Sequence, residues 1–128
     1  MLDQRAFEKL ENYLKRVPAV FPNIQSGSNS HEWWVTFDID IHHDIAWHVV
    51  QEFAYVANNL SLQERLPTRF YPSSPPPYLN GGPEEFLSWW ITCSSLEFRP
   101  GTLADWLEGR LPRPVEDISQ WDLQDSDD

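Results

Sequence analysis

The sequence predicts a small α+β domain in which a short, mostly antiparallel sheet packs against two to three helices. One segment alternates apolar and polar residues strictly, as a half-buried strand does, and two others carry apolar residues at helical spacing. The 128 residues fit one domain, and an apolar content of 41% is enough for a core. We expect residues 1–121 to form this domain and the acidic residues 122–128 to be a disordered tail.

The first elements in the chain are a helix and a loop. Residues 3–17 predict the helix, because apolar side chains recur there at helical spacing and Asp3 is a suitable N-cap. Pro18 ends this helix. The polar stretch 23–30, NIQSGSNS, has no periodicity and predicts a loop.

The clearest strand spans residues 31–41, and a helix follows over residues 44–59. Alternate apolar side chains of the strand share one face, which we expect to lie on the core. The opposite face carries Trp34, Thr36, Asp38, Asp40 and His42. The helix has an apolar side for the core and a polar side that includes His48 and Glu52.

Proline divides the second half of the chain. Residues 67–83 hold six of the eleven prolines, which excludes a central strand there and leaves room for an edge strand at 68–71. Residues 89–98 favour a strand by composition. A capping box at Thr102 predicts a short helix that ends near Gly109, and residues 115–121 predict a last helical turn.

The charge balance restricts the classes of partner. Nine Lys and Arg residues against twenty Asp and Glu give a net charge of −11, which excludes a general nucleic-acid binder. Between residues 17 and 64 there is no Lys or Arg at all. Such an acidic field accelerates association with a basic protein.

Location is predicted from what the sequence lacks. No run approaches eighteen apolar residues, so we expect no membrane span. The charged N-terminal stretch has no secretion signal, and the single cysteine, Cys93, allows no internal disulfide. Both observations favour the cytoplasm.

No catalytic motif is present in the sequence. It contains neither a Gly-x-Ser-x-Gly elbow nor a glycine-rich phosphate loop. Cys93 lies among apolar neighbours, where a thiol is usually inert. We therefore predict no enzyme activity and no cofactor.

A metal site is the alternative hypothesis. The string Asp38-Ile-Asp40-Ile-His42-His43-Asp44 resembles the metal-binding strand of histone deacetylases, which implies zinc ligation by Asp40 and His42. The chain departs from that family because Asp44 stands where glycine follows the histidines, and because 128 residues cannot hold its large α/β fold. From spacing, His48 could join Asp40 and His42 in a small metal-binding protein or metalloenzyme.

Two tryptophan pairs point to a protein interface. Trp33-Trp34 and Trp89-Trp90 lie on predicted strands, so one member of each pair should face away from the core. Aromatic side chains among acids are typical of interface hot spots. The leading hypothesis is therefore a small acidic inhibitor, most concretely a bacterial immunity protein that blocks a basic, nuclease-like toxin. The predicted contact residues are Trp34, Asp38, Asp40, Asp44, Glu52 and Trp90.

Two further alternatives use the same features. An acidic mimic of nucleic acid would block a DNA- or RNA-binding protein, and it shares the charge argument. A homodimer through the tryptophan-bearing face would use the same residues as the inhibitor.

Overall fold

A four-stranded antiparallel sheet forms one layer of the fold. The computed structural model describes residues 2–59, 66–73 and 86–121. The strands are β1 (Gln25–Ser28), β2 (Trp33–Asp40), β3 (Thr68–Ser73) and β4 (Phe86–Cys93), in the order β1-β2-β4-β3. All three pairings are antiparallel, which confirms the predicted α+β class and sheet type.

Helices form the second layer. A 3₁₀ turn at Gln4–Phe7 leads into α1 (Glu8–Arg16), and α2 (Ala46–Ala54) continues as a π-helical segment, Tyr55–Asn59. The remaining helices are α3 (Pro100–Arg110) and the single turn α4 (Ile118–Trp121). Asp3 caps the first turn, as predicted, by accepting the backbone N–H of Arg5 at 3.1 Å.

The core lies between the helices and one face of the sheet, the inner face. The alternation of β2 is realised in full, because Trp33, Val35, Phe37 and Ile39 are buried and the intervening side chains are half-buried. The ring of Phe37 meets Phe53 of α2 edge to face, with centroids 5.8 Å apart. These side chains and the apolar sides of the helices belong to one buried cluster, so the inner face is fully used.

Three predictions about element boundaries are wrong, and one of them concerns β4, which spans Phe86–Cys93 rather than residues 89–98. The stretch predicted as a loop contains β1, because Gln25–Ser28 pairs with β2 although its own side chains are polar or absent. The third helix begins at Pro100 rather than at Thr102, with Arg99 in the N-cap position. Proline suits the first turn, where its missing N–H would have no helical partner.

Other predictions lie partly outside the described residues. The last turn buries Val115 and Trp121 as predicted, but Ile118 is exposed. The acidic tail 122–128 and residues 74–85 of the proline-rich stretch are not among the described residues. Within the described ranges, no helix has the length and apolar character needed to cross a bilayer.

Candidate protein-binding surface

The face of the sheet opposite the core, here called the open face, carries most of the predicted contact residues. The described helices pack on the inner face, so they leave the open face uncovered. Its outward side chains are those of Gln25, Trp34, Thr36, Asp38, Asp40, Arg69, Tyr71, Ser88, Trp90 and Thr92. Each tryptophan pair divides as predicted, with Trp33 and Trp89 in the core and Trp34 and Trp90 half-buried on the open face.

Strand register places three aromatic side chains together at the centre of the open face. Trp90 lies directly opposite Thr36 on one side and Tyr71 on the other, and Trp34 is its diagonal neighbour across β2 and β4. With Glu32, Arg69 and Thr92 they line a groove of about 600 Å³, here called the central groove, which extends to Asn58 and Phe70 at the β3 edge of the sheet. An aromatic centre with charged residues at its border is the arrangement found in protein-binding hot spots.

Trp34 is held in place by a glycine on the neighbouring strand. Gly27 pairs with Trp34, and a Cβ built on Gly27 would lie 2.8 Å from Cζ2 and 3.0 Å from Nε1 of the indole. The indole therefore packs directly on the backbone of β1, in the space that any other residue would fill. This contact restricts the motion of a half-exposed aromatic side chain before any partner arrives.

Asp38 and Asp40 extend the open face toward the end of β2. Asp38 accepts the Ser88 hydroxyl at 2.5 Å through Oδ1 and the Asn23 amide at 2.8 Å through Oδ2. Asp40 accepts the backbone N–H of His42 at 3.0 Å and so stabilises the turn that follows the strand. Both carboxylates therefore have a local structural role as well as a charge.

Residues before β1 form a pocket beside Asp38. An isolated bridge joins Val20 to Ile39, and the backbone N–H of Phe21 donates to the Asp38 carbonyl at 3.0 Å. Ala19, at a positive φ of 76°, accepts the N–H of Asp40 at 2.8 Å and turns the chain into this path. The resulting corner pocket, lined by Phe21, Pro22, Asn23 and Asp38, has a volume of about 300 Å³.

Two predicted contact residues lie away from the aromatic centre. Asp44 is exposed in the turn between β2 and α2. Glu52 lies on α2, where it accepts the guanidinium of Arg110 at 2.7 Å, and that guanidinium stands 4.5 Å from the ring centre of Tyr55. Since α2 packs on the inner face, the structure separates Glu52 from the open face.

The histidine and aspartate side chains of the metal hypothesis are not gathered into a site. In the ranges 2–59, 66–73 and 86–121, no three His, Cys, Asp or Glu side chains are placed to hold a metal ion. Asp40 is engaged by the turn, and Nδ1 of His43 accepts the backbone N–H of Ile45 at 3.3 Å. The geometry therefore gives no support to a centre built from Asp40, His42 and His48.

Cys93 lies on the inner face and has no place in a reactive site. It is buried, and its thiol donates to the carbonyl of Ser95 at 3.2 Å. Burial raises the pKa of this thiol, so the reactive thiolate is disfavoured.

Basic side chains concentrate in the helical layer. Among the described residues, ion pairs in that layer join Lys9 to Asp105, Arg16 to Glu116 and Arg110 to Glu52. On the described strands the basic residue is Arg69 of β3, which borders the central groove. Among the described strand residues, the carboxylates of Asp38 and Asp40 thus share their face of the sheet with a single basic side chain, that of Arg69.

Comparison with known proteins supplies no relative. No protein-family model matches the chain, and neither the curated proteins nor the solved structures contain a significant match.

Several surface residues were missed by the sequence reasoning. Arg69 and Tyr71 reach the open face through an edge strand, and the alternation of that strand could have identified them. Phe21 and Asn23 carry no such signal, because their positions depend on pairing between segments about fifteen residues apart.

Proposed function

We propose that this protein is a small acidic inhibitor that binds a basic protein partner through its open face. A bacterial immunity protein that neutralises a nuclease-like toxin is the most concrete form of this proposal. The observation that carries it is a sheet with one face buried in a core and the other bearing Trp34, Tyr71 and Trp90 beside Asp38 and Asp40.

The rigidity of the surface supports a binding role. The contact side chains project from hydrogen-bonded strands, and the sheet beneath them rests on buried aromatic side chains such as Phe37 and Phe70. A surface fixed in advance loses little conformational entropy on binding, which leaves more of the contact energy for affinity.

The distribution of charge supports a basic partner. With a net charge of −11, the chain attracts positively charged proteins over distances comparable to the Debye length. The helical layer offsets part of its negative charge through internal ion pairs, whereas Asp38 and Asp40 are held by neutral donors and the backbone. We therefore expect the partner to place its basic surface against the open face.

Affinity capture with matched variants tests the proposal. The immobilised full chain is incubated with lysate of the source organism at low and high salt, and retained proteins are identified by mass spectrometry. Trp90→Ser and Asp40→Lys alter the open face. Trp47→Ser and Glu8→Lys make the same changes on α2 and α1, where both original side chains are exposed.

The expected result is one basic protein, retained at low salt and released at high salt, whose own activity falls when the chain is added. Each open-face variant should weaken its binding at least tenfold, while the two control variants should stay within about threefold of the unchanged chain. A retained protein that binds all four variants equally, or that keeps full activity in the complex, would contradict the proposal.

A further inference from the structure

The corner pocket combines apolar walls with one carboxylate. Phe21 and Pro22 supply the walls, and Asp38 and Asn23 supply the polar end. A space of about 300 Å³ is large enough for one long side chain of a partner. Surfaces of this kind suit side chains that have an apolar stem and a charged head.

The carboxylate of Asp38 is oriented without being neutralised. Its two oxygens accept the Ser88 hydroxyl and the Asn23 amide, both of which are uncharged donors. Each carboxylate oxygen can accept a second hydrogen bond, so both retain capacity for a further donor. Within residues 2–59, 66–73 and 86–121, no Lys or Arg side chain is paired with Asp38, so its charge is available to a partner.

We infer that the corner pocket receives one arginine side chain of the basic partner, with its stem on Phe21 and Pro22 and its guanidinium at Asp38. This inference rests on the proposed function and identifies the anchor by which the partner is held. A planar guanidinium can donate to both carboxylate oxygens at once, and it is more weakly hydrated than an ammonium group. For both reasons arginine suits this pocket better than lysine.

An arginine peptide tests the pocket without knowledge of the partner. Acetyl-tetra-arginine amide is titrated into the ¹⁵N-labelled full chain, and the side-chain amide of Asn23 and the backbone amide of Phe21 are followed by NMR. Acetyl-tetra-lysine amide has the same charge and serves as the comparison probe. We expect saturable shifts at both positions, with at least threefold weaker binding of the lysine peptide.

Three variants separate the pocket from the general acidic field. Asn23→Lys places a cation at the pocket itself, and Phe21→Ala removes the wall. The backbone amide of residue 21, which both variants keep, should report at least fivefold weaker binding of the arginine peptide. Asn23→Lys leaves Asp38 in place, which protects the test against a failure of the Asp38 region to fold. Glu8→Gln removes one exposed negative charge on α1, away from the predicted contact residues, and should change the affinity less than twofold.

The outcomes distinguish this inference from the proposed function. Shifts spread evenly over acidic residues, equal binding of both peptides, or shifts unaffected by Asn23→Lys would overturn the arginine pocket. If the capture experiment still yields a basic protein that depends on Trp90, the inhibitor proposal stands without this anchor. If the peptide binds as expected and no basic protein is captured, the pocket stands and the inhibitor proposal fails.

Discussion

Two glycines show how differently the same residue type is used within this chain. A methyl group on Gly27 would meet the indole of Trp34 at 2.8 Å, whereas nothing lies within 4 Å of a Cβ on Gly109 in α3. We expect Gly27→Ala to displace Trp34 and to cost about 1–3 kcal/mol, the usual range for overpacking. Gly109→Ala should stabilise the protein by about 0.5–1 kcal/mol, because alanine favours the helix.

Urea unfolding followed by tryptophan fluorescence measures both glycine changes. If Gly27→Ala leaves stability and the native fluorescence unchanged, the contact between Gly27 and Trp34 is not formed in solution. A destabilising Gly109→Ala would show that the end of α3 differs from a regular helix.

Tyr13 links a single buried hydroxyl to stability at high pH. Its hydroxyl is buried with no hydrogen-bond partner among the described residues, and burial, followed by the charge of Glu108, raises its pKa above the usual value near 10. The folded protein therefore keeps this proton at a pH where the unfolded chain loses it. Stability from this group is present below pH 10 and falls above it, by at most about 1.4 kcal/mol per pH unit.

Tyr13→Phe removes both the unpaired hydroxyl and its titration. We expect unchanged stability at pH 7, or a gain of about 1 kcal/mol, and a smaller loss of stability between pH 9 and pH 11. Denaturant unfolding at pH 7, 9 and 11 measures both effects, with the exposed Tyr55→Phe as control. If Tyr13→Phe loses stability with pH as steeply as the unchanged chain, Tyr13 does not cause the alkaline loss.

Among the elements, the π-helical end of α2 controls the free edge of the sheet. The side chain of Asn58 donates to the Phe70 carbonyl at 2.9 Å and accepts the Phe70 N–H at 2.7 Å, as a neighbouring strand would. Two residues before Phe70 on β3, the hydroxyl of Thr68 donates to the carbonyl of Ala57 at 2.9 Å. These contacts occupy an edge that could otherwise pair with another chain.

Asn58→Ala should leave the backbone groups of Phe70 without their partners. We expect a loss of about 1–3 kcal/mol and faster hydrogen exchange at the Phe70 amide. Asn58→Asp keeps the acceptor for the Phe70 N–H and loses the donor. Its stability should therefore lie between that of the unchanged chain and that of Asn58→Ala. Unchanged hydrogen exchange at the Phe70 amide in Asn58→Ala would show that the side chain of Asn58 does not protect this edge of the sheet.

The sequence predicted those elements whose signal is local. β2 and α2 carry their alternation and helical spacing in their own residues, and both formed as expected. β1 carries no such signal, because its sequence QSGS becomes a strand only through pairing with β2 and the packing of Trp34 on Gly27. The sequence predicted a loop at β1 because local propensity does not show pairing with a strand elsewhere in the chain.

The candidate site was predictable to the same extent. Alternation on β2 identified Trp34, Asp38 and Asp40 as neighbours on one face, and the tryptophan pairs identified Trp90. Glu52 lies apart from them on α2, and the sequence alone does not show on which side of the sheet α2 packs. The corner pocket was missed for a related reason, since the contact between Val20 and Ile39 that builds it is tertiary.

At the scale of the whole molecule, net charge should make stability depend on salt. Twenty acidic residues outnumber nine basic ones, so the acidic side chains repel one another in the folded state. The ion pairs described in the helical layer involve largely exposed side chains, and each contributes about 0–1 kcal/mol. Raising NaCl from 10 to 150 mM shortens the Debye length from about 30 to about 8 Å. We expect the repulsion to be the larger effect, so that salt stabilises the fold by about 1 kcal/mol, or roughly 4 °C in Tm.

Thermal unfolding at the two salt concentrations measures this effect. Asp44→Lys changes the net charge from −11 to about −9 and should reduce the rise in Tm with salt. The same charges should weaken partner binding as salt rises, because screening removes attraction to a basic surface as well as repulsion within the fold. Opposite salt dependences of Tm and affinity are therefore expected from a single cause. A Tm that falls with salt would mean that the ion pairs of the helical layer outweigh the repulsion within the fold.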